Sequence, residues 1–294
     1  MIERIEYGGW PNCLRLANEA IELVATTDVG PRIIRLGFIG GQNLFKTFDS
    51  MLGVSGGDEW RAYGGHRLWH APESFPRTYA PDNGPVEHTW DGTTLVLRMS
   101  EAANGVDKEL AVTLDPVAPI VEVRHQITNR NPWAIELAPW AISGMAPGGR
   151  AIIPQEDYAP HPESLQPARP VVLWRYTDMS DPRWTWGRRY VQLRQDPAAS
   201  SRQKAGFLNT QGWIAYVLNQ ETLIKRFRVV EGAVHADMGC NTEVFTDSEM
   251  LEIETLGPLS RLGPGTAVQH VETWELLRRP FSEREDDIDD LSAA

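Results

Sequence analysis

Between Gly64 and Glu73 the chain reads GGHRLWHAPE, two histidines, an arginine, a tryptophan and a carboxylate between a glycine pair and a proline. Imidazoles four residues apart can serve as general acids or hold a metal. The zinc reading needs a helix to carry the spacing, and no Glu follows His66 to complete an HExxH pattern. The glycines open backbone paths closed to other residues, and Pro72 interrupts a helix. His66 and His70 are therefore expected as loop groups that converge on a polar ligand, with Arg67, Trp69 and Glu73 beside them. The alternative is that such residues are hydrogen-bonded wall groups of the fold.

The second candidate lies late in the chain. In Leu251-Glu-Ile-Glu-Thr, strand alternation puts Glu252 and Glu254 on one face and Leu251 and Ile253 on the other. If the acidic face meets water, nothing further follows. If it lines a concave surface, two carboxylates meet the ligand, and one would be raised in pKa and act as a base. Asp82, in the turn sequence Pro81-Asp-Asn-Gly, and His88 just after it are candidate hydroxyl partners. Trp186 belongs to a stretch, Trp184-Thr-Trp-Gly-Arg-Arg, that offers either a basic stacking rim for a sugar or a cover for the core. His125 and His270 alternate with apolar residues and are expected to be packed or surface groups.

These groups need a scaffold, and the surrounding pattern is that of antiparallel strands. Cys13 to Ala17 and Ile21 to Ala25 alternate about an Asn18-Glu19 turn. Glu87 to Trp90 and Thr94 to Met99 flank Asp91-Gly92, a strong hairpin signal. Further strands are read at 30–41, 108–114, 120–129, 134–143, 212–218, 223–230, 250–256 and 267–277. The Pro- and Trp-rich segment 154–197 is expected to form long connections over a sheet face. No long amphipathic helix or fixed repeat is found, so the fold class is all-β. Residues 1–281 are expected as a single domain and residues 282–294 as an acidic, solvated tail with six acidic residues and one basic.

Across 294 residues, 28 Lys and Arg face 40 Asp and Glu, a formal charge of −12 that makes nucleic acid and anionic membranes poor partners. The two cysteines, Cys13 and Cys240, have no metal or redox spacing. Neither a metal nor a cofactor is expected. The chain starts without an apolar signal-like run, and a cytoplasmic location is the expectation. Eleven tryptophans are a positive clue, because indole faces suit the C–H faces of sugar rings.

The order of these features resembles the galactose mutarotase-like superfamily, which includes aldose 1-epimerases and hexose-6-phosphate mutarotases. Tyr63-Gly-Gly-His-Arg-Leu-Trp-His-Ala-Pro-Glu is similar to the Gly-Gly loop of the hexose-phosphate branch. Ile253-Glu254-Thr255 is similar to the Leu-Glu-Thr of aldose epimerases, and Leu262-Gly-Pro-Gly to the turn that follows it. The resemblance implies a β-supersandwich of large antiparallel sheets and acid–base isomerisation at the anomeric carbon of a sugar or sugar phosphate. It assigns the base role to Glu254 with Glu252 as neighbour, the acid role to His66 or His70, and a clamp role to Arg67. One departure is Trp140, which stands where aldose epimerases have an Asn-His segment, so the acid must come from elsewhere or the cleft binds sugar without isomerising it. Oligosaccharide lyase or hydrolase chemistry is the third reading, since the fold alone does not fix function.

Overall fold

In the computed structural model, residues 2–293 are described. The strands in chain order are β1 (Ile2–Tyr7), β2 (Trp10–Ala17), β3 (Ile21–Thr26), β4 (Arg32–Phe38), β5 (His66–Ala71), β6 (Glu87–Trp90) and β7 (Thr94–Glu101). There follow β8 (Val106–Leu114), β9 (Ile120–Asn129), β10 (Ile135–Met145), β11 (Arg150–Pro154), β12 (Val171–Leu173), β13 (Trp184–Trp186) and β14 (Tyr190–Arg194). The last third supplies β15 (Gln203–Phe207), β16 (Trp213–Leu218), β17 (Glu221–Phe227), β18 (Thr242–Thr246), β19 (Leu251–Leu256), β20 (Ser260–Leu262), β21 (Ala267–Leu277) and one helix, α1 (Glu285–Ala293).

Two large sheets result. The first runs β1-β2-β3-β4-β5-β10-β19-β18-β15-β12, with β20 attached to β10; the second runs β13-β14-β11-β16-β17-β21-β9-β8-β7-β6. Neighbouring strands within each sheet pair antiparallel throughout. One apolar core fills the space between the sheets. Leu16, Leu23, Leu36, Leu68, Leu251 and Ile253 from the first meet Leu97, Leu110, Val123, Ile214, Leu223 and Trp274 from the second. This is the two-layer solution for sheets whose alternate residues are apolar.

The expected hairpins 13–25 and 87–99 form as β2–β3 and β6–β7. Two expectations are corrected. The Gly64–Glu73 stretch is not a loop: β5 is an inner strand between β4 and β10, and all six of its residues are buried. The glycines serve its entry, because a Cβ on Gly64 would lie 2.0 Å from the Lys46 carbonyl oxygen and one on Gly65 2.3 Å from that of Ile33. The acidic tail is not simply solvated either, since α1 buries Ile288 and Leu291, with Phe281 before it, against Ile152, Trp213 and Ile224 on the outer face of the second sheet. The segment 154–197 is largely irregular as expected, but it also contributes β12, β13 and β14.

Candidate functional site

Cross-strand register decides which side chains share a face of the first sheet. Ile142 of β10 pairs with both Arg67 of β5 and Glu254 of β19, and Glu254 pairs with Glu243 of β18. One step along, Trp140 pairs with Trp69 and Leu256. These residues form the outer face, away from the second sheet. His66, Ser143 and Ile253 are paired on the opposite, inter-sheet face.

The outer face carries the candidate site. Trp140 Nε1 donates to Glu254 Oε2 at 2.8 Å, and Lys204 Nζ reaches the same oxygen at 3.2 Å. Lys204 Nζ also lies 2.9 Å from Glu243 Oε2 and over the rings of Trp140 and Trp174, at 4.8 and 4.7 Å. Arg67 donates to Glu252 Oε1 at 3.2 Å and lies over Trp69 at 4.6 Å. Trp69, Trp140, Trp60 and Tyr79 meet edge to face. Above them opens a cavity of about 400 Å³ lined by Glu73, Ser74, Phe75, Tyr79, Trp140, Trp174 and Asp237. That size is within the usual range for small-molecule sites.

Several buried polar atoms here have no hydrogen-bond partner: Glu254 Oε1, both Glu243 oxygens, Asp237 Oδ2 and Arg67 Nε. The Lys204 ammonium beside Glu243 is close but off the direction of a hydrogen bond. Such atoms are rare in native interiors, and a cluster of them beside a cavity makes this face the candidate site. Backbone strain gathers at the same spot. Asp237 and Met238 both adopt left-handed conformations, φ 49° and 61°, a feature that concentrates at ligand sites.

Charge is compressed in this cleft. Burial pushes the Glu243 carboxyl up to about 8; Lys204 works against the shift, and Glu254 and Asp237 add to it. Burial likewise raises Glu252, against the pull of Arg67, and raises Asp237. For Lys204, burial alone would favour the neutral amine, but Glu254, Glu243 and Glu252 together hold it well above the ordinary lysine value.

Of the residues singled out from sequence, Arg67, Trp69, Glu73, Trp140, Glu252 and Glu254 come together on this face or at its rim. His66 and His70 do not, which corrects their expected place beside Glu254. They alternate onto the other face of β5, where His66 Nε2 meets His125 Nε2 at 2.7 Å and His70 Nε2 meets Glu101 at 3.1 Å. Asp82 instead pairs with the fully buried Arg32 at 2.6 Å. His88 is exposed on β6, at the edge of the second sheet. Trp186 stacks on Trp184 at 5.0 Å and packs against the main core, so covering the core is its role here.

Sequence reasoning missed Lys204, Glu243, Trp174 and Asp237. For Glu243 a signal existed. Thr242-Glu-Val-Phe-Thr and Leu251-Glu-Ile-Glu-Thr alternate about an Asp247 turn, and that hairpin sets Glu243 opposite Glu254.

Between the sheets, His66, His125 and Glu272 bring possible ligand atoms within 4.8 Å of one another. Their bonding is satisfied without a cation. His125 Nδ1 faces the His270 carbonyl at 3.0 Å and must donate, so its Nε2 accepts from His66. His66 Nδ1 then accepts from Ser143, whose oxygen accepts from Lys225, and Lys225 pairs with Glu272 at 2.7 Å. An ammonium at that distance from the carboxylate opposes a metal at the same oxygens.

No family model matches the sequence, and a search of the curated proteins found no match. Solved structures do match in fold. A TPR-domain-containing protein from Parabacteroides distasonis aligns with a TM-score of 0.62 and 14% identity over 92% of this chain, which spans only 48% of that protein. A galactose mutarotase-like protein from Clostridium acetobutylicum aligns at 0.56 and 10% identity, covering 94% of this chain and 98% of that one. Another, from Lactobacillus casei, aligns at 0.55 and 9% identity, covering 90% and 100%. The chain therefore has the galactose mutarotase-like fold. No helix among the described residues is long and apolar enough to cross a membrane.

Proposed function

We propose that the outer-face cleft binds a sugar and interconverts its anomers, the chemistry of an aldose 1-epimerase. The observation that carries this reading is the Glu243–Glu254 pair. Two carboxyl groups sit directly opposite on β18 and β19 and share Lys204, and the pKa of Glu243 is raised to about 8. A carboxyl group raised toward neutral pH beside a second carboxyl is suited to act as the acid of an acid–base couple.

In this scheme Glu254 takes the proton of the anomeric hydroxyl as the bond from the anomeric carbon to the ring oxygen breaks. Protonated Glu243 delivers a proton to that ring oxygen. The open-chain aldehyde rotates, and the reverse transfers close the ring as the other anomer and restore both carboxyl groups. Glu243 thus takes the acid role that the sequence suggested for His66 or His70. Trp140 and Trp174 supply apolar faces for the ring, and Arg67, held by Glu252, orients that carboxylate. Anomer exchange followed by saturation-transfer NMR tests the scheme. Glu254→Gln is expected to slow it about a hundredfold or more, within the 10² to 10⁴ typical of one acid or base. Absence of exchange in the wild-type chain with every hexose, hexosamine, sugar phosphate and uronate tried would refute it.

A second reading, sugar binding without catalysis, is favoured by one observation: Glu254 is fully buried beneath Trp140. Under that reading a ligand binds wild type and Glu254→Gln alike, and neither exchanges its anomers.

A further inference from the structure

The atoms left without partners in the cleft are nearly all acceptors. Glu254 Oε1 and Asp237 Oδ2 lack donors, the Glu243 oxygens have only the Lys204 ammonium nearby, and Arg67 Nε is the one unpartnered donor among the described cleft residues. Glu243 and Glu254 are completely buried, so water does not compensate them. With Glu243 keeping its proton, three further acids, Asp237, Glu252 and Glu254, stand against two cations, Lys204 and Arg67, and Glu73 adds another acid at the rim. Both cations are already engaged, Arg67 by Glu252 and Lys204 by two glutamates. A phosphate or carboxylate on the ligand would therefore find no free cation among the described residues that line the cleft, and would meet an excess of acid. The walls are aromatic, with Trp140, Trp174, Tyr79 and Phe75 around the opening. Aromatic faces with carboxylates behind them attract a cation from two sides.

We infer that the sugar recognised by this cleft bears a protonated amine, and that Asp237, at the mouth, meets that amine. The inference rests on the reading of the cleft as a sugar site and names the substrate class within it. A hexosamine supplies what the cavity's lining lacks: an ammonium donor for Asp237, which lines it, and a positive charge that offsets the acid behind it. Its ring also retains C–H faces for the indoles. Asp237 suits the contact because it lines the open cavity and is held in a left-handed backbone by the turn it belongs to. There Gly239 and Cys240 both donate to the Ala236 carbonyl, at 2.9 and 3.0 Å.

Calorimetric titration of the full chain with galactosamine and glucosamine, their N-acetyl derivatives, the parent hexoses, glucose 6-phosphate and glucuronate tests this. The titrations are run at about pH 6.5, below the range of such an amine. The amines are expected to bind at least about tenfold more tightly than the parent hexoses, a modest return for one partly buried charge pair. They should also bind more tightly than the N-acetyl forms, which keep the ring and lose the charge. The preference should shrink with added salt. Asp237→Asn should bring the hexosamine-to-hexose ratio toward one, and Asp237→Glu should preserve it. Parent hexoses bound as tightly as the amines, tighter binding of the phosphate or uronate, or an unchanged ratio in Asp237→Asn would each overturn the inference while leaving a sugar site in place. No binding by any of the sugars would remove the sugar site and this inference together.

Discussion

Glu243 lies at 0% exposure next to an ammonium, yet its carboxyl retains a proton up to about pH 8 because burial outweighs the attraction of Lys204. Folding therefore adds a proton to this group relative to the free carboxyl, whose value is 4.5. Its contribution to stability is complete below that value and is lost as pH rises through about 8. Two outcomes follow for one residue. Turnover by the proposed scheme should fall above about pH 8, where the acid has lost its proton. Glu243→Gln should flatten the decline of melting temperature between about pH 5 and 9, measured by scanning calorimetry, because an amide has no proton to lose. A decline as steep in the variant as in wild type would show that the alkaline loss arises elsewhere.

At the scale of the strand, β5 shows why sequence patterning reached some of the site and not the rest. Period-2 alternation identifies a strand when one face is polar and the other apolar. It found the hairpins β2–β3 and β6–β7 and the strand that carries Glu252 and Glu254. In β5 both faces are buried and both carry polar groups, Arg67 on one side and His66 and His70 on the other, so no alternation exists to be read. What makes imidazoles tolerable between two sheets is a set of partners from far along the chain: Ser143, His125 and, through them, Lys225 and Glu272. Local sequence does not carry that information. Lys204 and Trp174 were hidden for the same reason, since pairing β15 with β18 and β12 with β15 is what brings them to the cleft.

The inter-sheet placement of β5's histidines makes them groups of the fold. His66→Ala should leave Ser143 and His125 short of a partner and open a cavity, costing about 2–4 kcal/mol in urea unfolding. The neighbouring histidines predict an acid limb as well. Burial pushes His125 down to about 4 and His270 to about 3, and Glu272 only partly opposes it. The unfolded chain therefore binds protons that the folded chain refuses. Their contribution is present above the ordinary histidine value of 6.5 and is lost as pH falls toward 3–4. The fall in stability from pH 6.5 to 4 should be shallower in His270→Gln than in wild type, and an equal slope in the two would contradict this arrangement.

The whole molecule treats the outer faces of its two sheets differently, and that asymmetry leaves the Trp140 cleft uncovered by a helix among the described residues. On the second sheet, Ile152, Trp213, Ala215 and Ile224 would form an apolar surface facing water, but Phe281 and α1 close it. The acidic residues that suggested a solvated tail are what fasten the helix: Arg189 pairs with Glu285, Asp286 and Asp289, and Arg279 with Asp287 and Asp290. These pairs are largely exposed, so they orient the helix, while the burial of Ile288 and Leu291 supplies most of the stabilisation. On the first sheet no helix among the described residues covers Trp140, Lys204 and Glu254; the irregular stretch around Trp174 and the turn at Asp237 form the cavity's walls instead. Site and fastening thus lie on opposite outer surfaces, with two sheets between them. Ile288→Ala combined with Leu291→Ala should lower unfolding stability by about 3–6 kcal/mol, somewhat less if the helix detaches and relaxes. High salt should lower it further only slightly, since the exposed ion pairs contribute little. Sugar affinity, measured below the unfolding transition, should stay within about twofold of wild type because the cleft does not touch α1. Loss of affinity in step with loss of the helix would mean that the two faces are coupled through the core and that the cleft depends on both.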